Sequence, residues 1–284
     1  MTSNTLKRRL LRRIPYFSRI ANTLDSLESQ NQELREKLAQ ELALRDHPQF
    51  SSPETLTIDG VPVPPDNLRQ LVAGTEDLQW FLHSGQLGAQ TIIDILAKQQ
   101  LTISQFESIL DFGCGCGRVI RHLRSSDTVR LHGTDCNRNT ILWCDENLNF
   151  AEFSSNLLEP PTRYPNCSFD LIYAFSVFTH LTEQLQIPWI QELHRIIKPN
   201  GYLIITVHGD YYLSQIPEVN RETYQQGKLV VTGVDKVSLN ECGAFHPESY
   251  VRNILVGELF DVIDFLPKGA LGNPFQDAYF LKAR

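Results

Sequence analysis

The sequence of 284 residues has no long uninterrupted run of apolar residues. Its longest apolar stretches, such as residues 202–207, have the length of a β-strand, whereas a helix that crosses a membrane needs roughly 20 apolar residues. The basic N-terminal segment is interrupted by Pro15 and is not followed by the apolar stretch of a secretory signal. The sequence therefore predicts a soluble, cytoplasmic protein with no transmembrane segment.

Metal-binding patterns are also missing. The six cysteines include no CxxC pair, and Cys114 and Cys116 are separated by a single residue. A structural zinc site would need a full set of ligands at a regular spacing. We therefore expect reduced thiols and no metal site.

Acidic residues outnumber basic ones except at the start of the chain. The formal net charge is −7, yet residues 1–20 contain six lysines and arginines and no acidic residue. Because nucleic-acid binding depends on a clustered positive surface, the acidic remainder argues against a nucleic-acid partner. The basic segment itself has the composition of an arm that contacts a membrane surface peripherally or docks on a partner.

The segment after this arm is predicted to be a helix. Apolar residues from Ile20 to Leu38 keep a three-four spacing with Asn31 in the seam, which predicts a coiled-coil homodimer through residues 20–45. A single amphipathic helix that packs on its own domain is the alternative. Residues 1–46 thus form the arm and helix, and the proline-rich residues 47–66 form a linker.

Residues 67–284 are predicted to form the main domain. Helix is expected over residues 67–101, with a break at Ser84 and Gly85, and strands then alternate with helices. Such alternation predicts an α/β fold, a Rossmann-like, doubly wound and mostly parallel sheet. An insertion at residues 210–244 precedes an antiparallel closing hairpin. The seven predicted strands are 108–113, 129–135, 150–156, 169–176, 201–209, 259–265 and 275–282, with helices at 118–125, 138–148 and 183–197.

A glycine-rich turn joins the first of these strands to the segment that follows. In ILDFGCGCGR, residues 109–118, glycines stand at positions 113, 115 and 117. Such a turn lets the backbone approach a ligand closely. The dinucleotide fingerprint GxGxxG would need a further glycine at position 118, where the chain has Arg118. The loop therefore favours a ligand without a diphosphate.

The sequence DFGCGCGR resembles the first motif of the class I S-adenosylmethionine-dependent methyltransferases. Asp135, in LHGTDCN, stands where that family carries the acid that binds both ribose hydroxyls. SFDLIYAFSVFTHL and WIQELHRIIKPNGYLIITVHG are similar to the family's fourth strand and to the turn before its fifth strand, with Asn200 in place of a glycine. The resemblance covers residues 105–209 and implies S-adenosylmethionine as the cofactor.

The same resemblance implies the residues of the cofactor site. Asp111 would bind the methionyl ammonium group, Asn156 the adenine amino group, and Phe175 and Ser176 would lie where the methionyl group meets the acceptor. The complete set implied for the cofactor is Asp111, Gly113, Cys114, Gly115, Gly117, Asp135, Asn156, Phe175 and Ser176.

A base is needed when methyl transfer removes a proton from the acceptor. His180 is the first candidate because it follows the fourth strand, at the carboxyl edge of the sheet where doubly wound folds bind ligands. His208 and His246 are further candidates. Each of the three could instead be a structural histidine.

The resemblance implies a small-molecule acceptor, and it favours an O-methyl product in natural-product or surface-glycan biosynthesis. N-methylation of a small molecule or peptide is the alternative. Two other functions stay open. One is an NAD-dependent oxidoreductase, which predicts a glycine at position 118 where Arg118 stands, and the other is a non-enzymatic assembly module with a vestigial cofactor pocket.

Overall fold

The structure, a computed structural model, describes residues 56–124, 128–234 and 242–284. The basic arm, the predicted coiled-coil helix at residues 20–45 and the first part of the predicted linker lie outside the described residues. One compact unit spans Thr55–Arg284, and every element named below belongs to it.

A hairpin and two helices precede the sheet. They are β1 (Thr57–Ile58), β2 (Val61–Pro62), α1 (Asp66–Ala73) and α2 (Leu78–Lys98). The hairpin packs on the domain, because Val61 and Val63 are buried and the Arg121 guanidinium donates a hydrogen bond to the Pro62 carbonyl oxygen at 3.2 Å. The compact unit therefore includes residues that the sequence placed in the linker.

The break between the two helices lies earlier than predicted. α1 is followed by Gly74, and Asp77 starts α2 by accepting hydrogen bonds from two backbone N–H groups of its first turn. Ser84 and Gly85, the predicted break, lie inside α2, so this prediction is wrong. A side chain at Gly85 would collide with the backbone of Arg118, so this glycine serves close packing rather than a turn.

Strands and helices then alternate. In chain order they are β3 (Ser108–Phe112), β4 (Arg130–Asp135), α3 (Arg138–Asn147), β5 (Glu152–Ser155), β6 (Phe169–Ala174), α4 (Glu183–Ile196) and β7 (Ile197–Val207). The described part of the predicted helix 118–125 contains a 3₁₀ turn, Ile120–His122, instead of an α-helix. Here the Arg121 guanidinium and the Arg121 backbone N–H both donate to the Gly117 carbonyl oxygen, at 3.0 and 3.4 Å.

The C-terminal part of the chain adds a cap and a hairpin. Its elements are a 3₁₀ helix (Asp210–Gln215), α5 (Glu218–Gln225), β8 (Val230–Thr232), β9 (Gly243–Phe245), α6 (Glu248–Tyr250) with a π-helical turn (Val251–Leu255), β10 (Phe260–Ala270) and β11 (Gln276–Ala283). β8 pairs with β9, and an isolated bridge joins His208 to Phe245. The described part of the predicted insertion thus packs beside the end of β7.

The seven-stranded sheet has the order β10-β11-β7-β6-β3-β4-β5. Neighbouring strands from β7 to β5 are parallel, and β11 pairs antiparallel with both β7 and β10. The predicted Rossmann-like, mostly parallel sheet with an antiparallel closing strand is confirmed. The strand order reverses at β3, between β4 and β6, and doubly wound folds bind ligands beyond the carboxyl ends of the strands at such a point.

The main hydrophobic core packs α4 against one face of the sheet. Phe112 and Trp189 lie in this core with ring centroids 4.8 Å apart, next to Ile172 and Leu203. Full burial of a side chain of this kind contributes about 1.5–3 kcal/mol. The core therefore holds the end of β3 rigidly where the glycine loop begins. Within the described residues, no helix is long and apolar enough to cross a membrane.

Candidate active site

A cavity of about 550 Å³ lies beyond the carboxyl ends of β3, β4 and β6. Eight of the residues that the resemblance assigns to the cofactor line it: Asp111, Gly113, Cys114, Gly115, Asp135, Asn156, Phe175 and Ser176. Gly117 is placed differently. A side chain there would lie 2.7 Å from Leu148 Cδ1, so this glycine allows the loop to pack on the end of α3. The cavity has the size of a small-molecule site.

The backbone N–H groups of the glycine loop are engaged by the protein itself. Gly113 and Cys114 both donate to the carbonyl oxygen of Thr134, at 2.8 and 3.0 Å. Gly115 donates to Asp135 Oδ2 at 2.9 Å. A diphosphate would need these donors and would also meet the Asp135 carboxylate. The loop therefore suits a ligand without phosphate groups.

Asp135 joins the glycine loop to the start of α3. Its Oδ1 accepts a hydrogen bond from the Asn137 N–H at 2.7 Å, and its Oδ2 accepts the one from Gly115. Desolvation raises the pKa of Asp135, and these two N–H groups lower it in part. Each carboxylate oxygen keeps a further lone pair. Because Asp135 lines the cavity, it can accept two neighbouring hydroxyl groups.

Asp111 is the second carboxylate of the cavity and is 3% exposed. Burial raises its pKa to about 7, although the Tyr173 hydroxyl and the Arg118 guanidinium counteract this effect. A cationic ligand group beside Asp111 would favour its ionised form. Asp111 is therefore suited to an ammonium group, the role that the resemblance implies for it.

Ser176 is held at the end of β6 by a hydrogen-bond network that the sequence did not reveal. Its N–H donates to Thr206 Oγ1 at 2.8 Å, and its hydroxyl lies 2.9 Å from Thr179 Oγ1. Gln276 closes the network, because its Nε2 donates to Ser176 Oγ at 2.8 Å and its Oε1 accepts from Thr206 Oγ1 at 2.7 Å. Only long-range strand pairing brings Gln276 to this site.

Asn156 and Cys114 also have internal partners. Asn156 Oδ1 accepts from the Thr134 hydroxyl at 3.0 Å, and its Nδ2 donates to the Leu157 carbonyl oxygen at 2.7 Å. Asn156 thus has a fixed orientation on the cavity wall, and its role toward adenine stays a prediction. Burial raises the pKa of the Cys114 thiol well above its usual range, so this thiol is neutral.

Of the three candidate bases, His180 lines the cavity. Its Nδ1 lies 2.9 Å from the carbonyl oxygen of Cys242. Because a carbonyl oxygen only accepts hydrogen bonds, Nδ1 carries the proton, and in the neutral ring Nε2 is the basic nitrogen. The Cys242 contact comes from the segment before β9, beyond the reach of local sequence patterns.

His208 and His246 lie behind His180 and are not among the described residues that line the cavity. The His208 ring lies 6.5 Å from that of His180, and burial lowers the pKa of His208 to about 4. His246 is 1% exposed, its Nε2 lies 3.1 Å from Gln186 Oε1, and burial lowers its pKa to about 3. Both rings are therefore neutral at physiological pH.

Part of the cavity wall comes from outside the segment that carries the resemblance. The end of α1 contributes Leu71, Val72, Ala73 and Gly74, and the β10–β11 hairpin contributes Asn273. No motif marked these residues, since they reach the site only through the packing of α1 and the hairpin around the sheet.

The arrangement fits the cofactor that the resemblance implies. S-adenosylmethionine offers two ribose hydroxyls and an ammonium group, and the cavity presents the carboxylates of Asp135 and Asp111. It carries no phosphate, which matches a glycine loop whose N–H groups are already engaged.

Comparison of the sequence with known proteins finds similarity to methyltransferases. A family model for a methyltransferase domain matches residues 110–203. The chain is 26% identical over 129 residues to a phosphoethanolamine N-methyltransferase of Plasmodium falciparum, with 44% of this chain and 47% of that protein covered. It is 27% identical over 119 residues to a malonyl-[acyl-carrier protein] O-methyltransferase of Calditerrivibrio nitroreducens, with 40% and 44% covered.

The fold is similar to that of solved structures. An S-adenosylmethionine-dependent methyltransferase from Mesorhizobium loti has a TM-score of 0.51 at 14% identity, with 65% of this chain and 94% of that chain covered. Similarity at this identity concerns the fold alone. The chain spans less than half the length of the two curated relatives, 47% and 44%.

Proposed function

We propose that this chain, which contains a methyltransferase domain of the class I, S-adenosylmethionine-dependent family, transfers a methyl group from that cofactor to a small-molecule acceptor. The observation that carries the proposal is the cavity itself. The backbone N–H groups of Gly113, Cys114 and Gly115 in its glycine loop already donate hydrogen bonds within the protein. The carboxylates of Asp111 and Asp135 line the same cavity. These groups suit a nucleoside with an amino-acid end, whereas the diphosphate of a dinucleotide would find no donor at these three positions and would be repelled by the carboxylates.

In this proposal the cavity residues bind and orient. Asp135 holds the ribose hydroxyls, Asn156 the adenine edge and Asp111 the ammonium group. When bound, S-adenosylmethionine supplies an electrophilic methyl group on a positively charged sulfur. The protein then contributes mainly alignment, because well-oriented reacting groups gain up to about 7–11 kcal/mol over free ones.

For the acceptor we propose a hydroxyl group, with His180 as the base. His180 lines the cavity, and the contact of its Nδ1 with the Cys242 carbonyl oxygen at 2.9 Å orients the ring. A base in this position accelerates transfer by about 100-fold or more. The two curated relatives are named for methylation of nitrogen and of oxygen, so N-methylation stays the alternative.

Four further proposals rest on the sequence. They are a role in natural-product or surface-glycan biosynthesis, a cytoplasmic location, a homodimer through residues 20–45 and a peripheral membrane contact of the basic arm.

The test has two stages. Calorimetry with S-adenosylmethionine and S-adenosylhomocysteine should show binding of both, and binding of neither would refute the proposed cofactor. Transfer of a labelled methyl group to pools of candidate acceptors then tests activity. Binding without any transfer would favour the non-enzymatic assembly module.

The role of His180 is tested by His180→Gln, with His194→Gln as the control. His194 lies on α4 and packs on Phe260, 5.3 Å between ring centroids, away from the cavity. We expect His180→Gln to lower kcat about 100-fold with unchanged cofactor affinity, and His194→Gln to change neither. An unchanged kcat in His180→Gln would show that another group takes the proton.

A further inference from the structure

Two residues of opposite charge are buried on the wall of the cavity without forming an ion pair with each other. Asp111 is 3% exposed, and Arg118, which follows the last glycine of the loop, is 8% exposed. Both line the cavity, and the ion pairs of the described residues do not include one between them. A buried charge is costly unless it is paired. A ligand group of opposite charge beside each residue would therefore lower the cost of burying it.

The hydrogen bonds of Arg118 all go to uncharged acceptors. Nη1 donates to Ser84 Oγ at 3.3 Å and to the Gly272 carbonyl oxygen at 3.2 Å, and Nη2 donates to Asn273 Oδ1 at 3.0 Å. A guanidinium has five N–H donors, so one on Nε and one on Nη2 have no acceptor among the described residues. Nε and Nη2 share one edge of the planar group, the edge that binds both oxygens of a carboxylate.

The neutral partners hold this guanidinium in one position. A side chain at Gly85 would collide with the backbone of Arg118, and one at Gly272 would collide with the backbone of Ser84. α2, the glycine loop and the β10–β11 hairpin are thus in direct contact around Arg118. A group fixed in this way loses little conformational freedom when it binds a ligand.

We propose that Arg118 binds the α-carboxylate of the methionyl group of the cofactor, while Asp111 binds the ammonium group on the same carbon. The inference rests on the proposed function, because it assigns a residue to one end of the proposed cofactor. In the sequence, Arg118 stands where the dinucleotide fingerprint requires a glycine. In this inference the same residue recognises the amino-acid end of the cofactor.

The charge state of the two residues agrees with this assignment. Burial raises the pKa of Asp111 and lowers the pKa of Arg118, so desolvation opposes the charged form of each. A ligand that carries a carboxylate and an ammonium group favours the charged form of both. Asp111 then gains a charged hydrogen-bond partner in addition to the Tyr173 hydroxyl, and Arg118 gains one in addition to its uncharged acceptors.

The test compares three ligands by calorimetry. S-adenosylhomocysteine carries both the carboxylate and the ammonium group, its decarboxylated analogue keeps only the ammonium group, and 5′-methylthioadenosine has neither. In Arg118→Met we expect the affinity for S-adenosylhomocysteine to fall about 30-fold to 100-fold, with the affinities for the other two ligands within about threefold of the wild type.

Arg121→Met is the matched control. Arg121 is also buried and donates to the Gly117 and Pro62 carbonyl oxygens, but it is not among the described residues that line the cavity. This variant should change the affinities for all three ligands by the same factor. An equal loss for all three ligands in Arg118→Met would overturn the inference, because Arg118 would then only support the wall.

A second measurement needs no variant. In the wild-type chain with ¹⁵N-labelled arginine, the Nε resonance of Arg118 should shift with S-adenosylhomocysteine and not with 5′-methylthioadenosine. The same shift with both ligands would overturn the inference even if Arg118→Met does not fold. Failure of the wild type to bind any of the three ligands would instead refute the proposed function.

Discussion

Replacement of Asp135 by alanine should weaken the glycine loop and the binding of ribose together. The side chain accepts hydrogen bonds from Gly115 at 2.9 Å and from Asn137 at 2.7 Å. A hydrogen bond to a charged group contributes about 1.5–3 kcal/mol, and the removal of a desolvated carboxylate offsets part of this loss. We expect the free energy of unfolding to fall by about 1–3 kcal/mol, which denaturant titration can measure.

The effect on binding should be larger. If the carboxylate also accepts two ribose hydroxyls, its loss removes about 3 kcal/mol of binding free energy, which corresponds to roughly 100-fold in affinity. The assay is calorimetry with S-adenosylhomocysteine and its 2′-deoxy analogue. Wild type should bind the deoxy analogue about tenfold more weakly, and Asp135→Ala should bind the two ligands equally.

The control is Asp145→Ala, which removes an exposed acid from α3, the helix that follows Asp135 in the chain. It should retain the affinity of the wild type and its preference for the ribose 2′-hydroxyl. If Asp135→Ala still prefers S-adenosylhomocysteine over the deoxy analogue as strongly as the wild type does, the ribose is not bound at Asp135 and the orientation of the cofactor is wrong.

Three further predictions test other parts of the structure. Because burial raises the pKa of Asp111 to about 7, its ionised fraction, and with it the affinity for S-adenosylhomocysteine, should fall about tenfold from pH 8 to pH 6; a constant affinity in calorimetry would show that Asp111 does not bind the ammonium group. Gln276→Met removes two buried hydrogen bonds and should cost about 1–3 kcal/mol of unfolding free energy, whereas a wild-type melting temperature would contradict the network around Ser176. Deletion of residues 1–46 should change the oligomeric state but not cofactor binding, and an unchanged subunit number in light scattering would rule out the coiled coil.

Ionisation of Asp111 as the pH rises should have opposite effects on the stability of the unliganded protein and on its affinity for the ligand. Its pKa is raised in the folded state, so the folded chain holds a proton that the unfolded chain has already released above about pH 4. Without ligand, this group therefore lowers stability progressively as the pH rises to about 7. If Asp111 binds the ligand's ammonium group, that group should reverse this cost, and below pH 7 binding should be accompanied by proton release.

The sheet was predictable from the sequence because buried parallel strands are short apolar runs, and such runs recur between helical segments. Predictions about turns fared less well. The break at Ser84 and Gly85 was wrong because a glycine inside a helix can serve close packing, and only the backbone of Arg118 on the other side reveals this. The helix expected at residues 118–125 is replaced by a 3₁₀ turn in its described part, where the side chain and the backbone N–H of Arg121 share the Gly117 carbonyl oxygen.

The residues of the candidate site could be predicted where they follow the ends of the parallel strands. The loop from Asp111 to Gly115 and the acid at Asp135 come from strand ends with regular spacing, and they line one cavity. That the loop N–H groups are engaged by Thr134 and Asp135 could not be read from the sequence, because a glycine-rich turn looks the same whether its donors point to a ligand or to a neighbouring strand.

The wall of the cavity therefore has two parts, one inside and one outside the residues that match the family model. The carboxyl ends of β3, β4, β5 and β6 lie within the family-matched residues 110–203 and carry the groups suited to a nucleoside with an amino-acid end. The end of α1 at Leu71–Gly74 and the hairpin residue Asn273 lie outside that match and close the same cavity from other directions. Because Asn273 Oδ1 accepts a hydrogen bond from Arg118 Nη2, a change in the hairpin would act on both parts at once. The hairpin and the strand ends are thus coupled through Arg118, which lines the cavity and contacts Asn273.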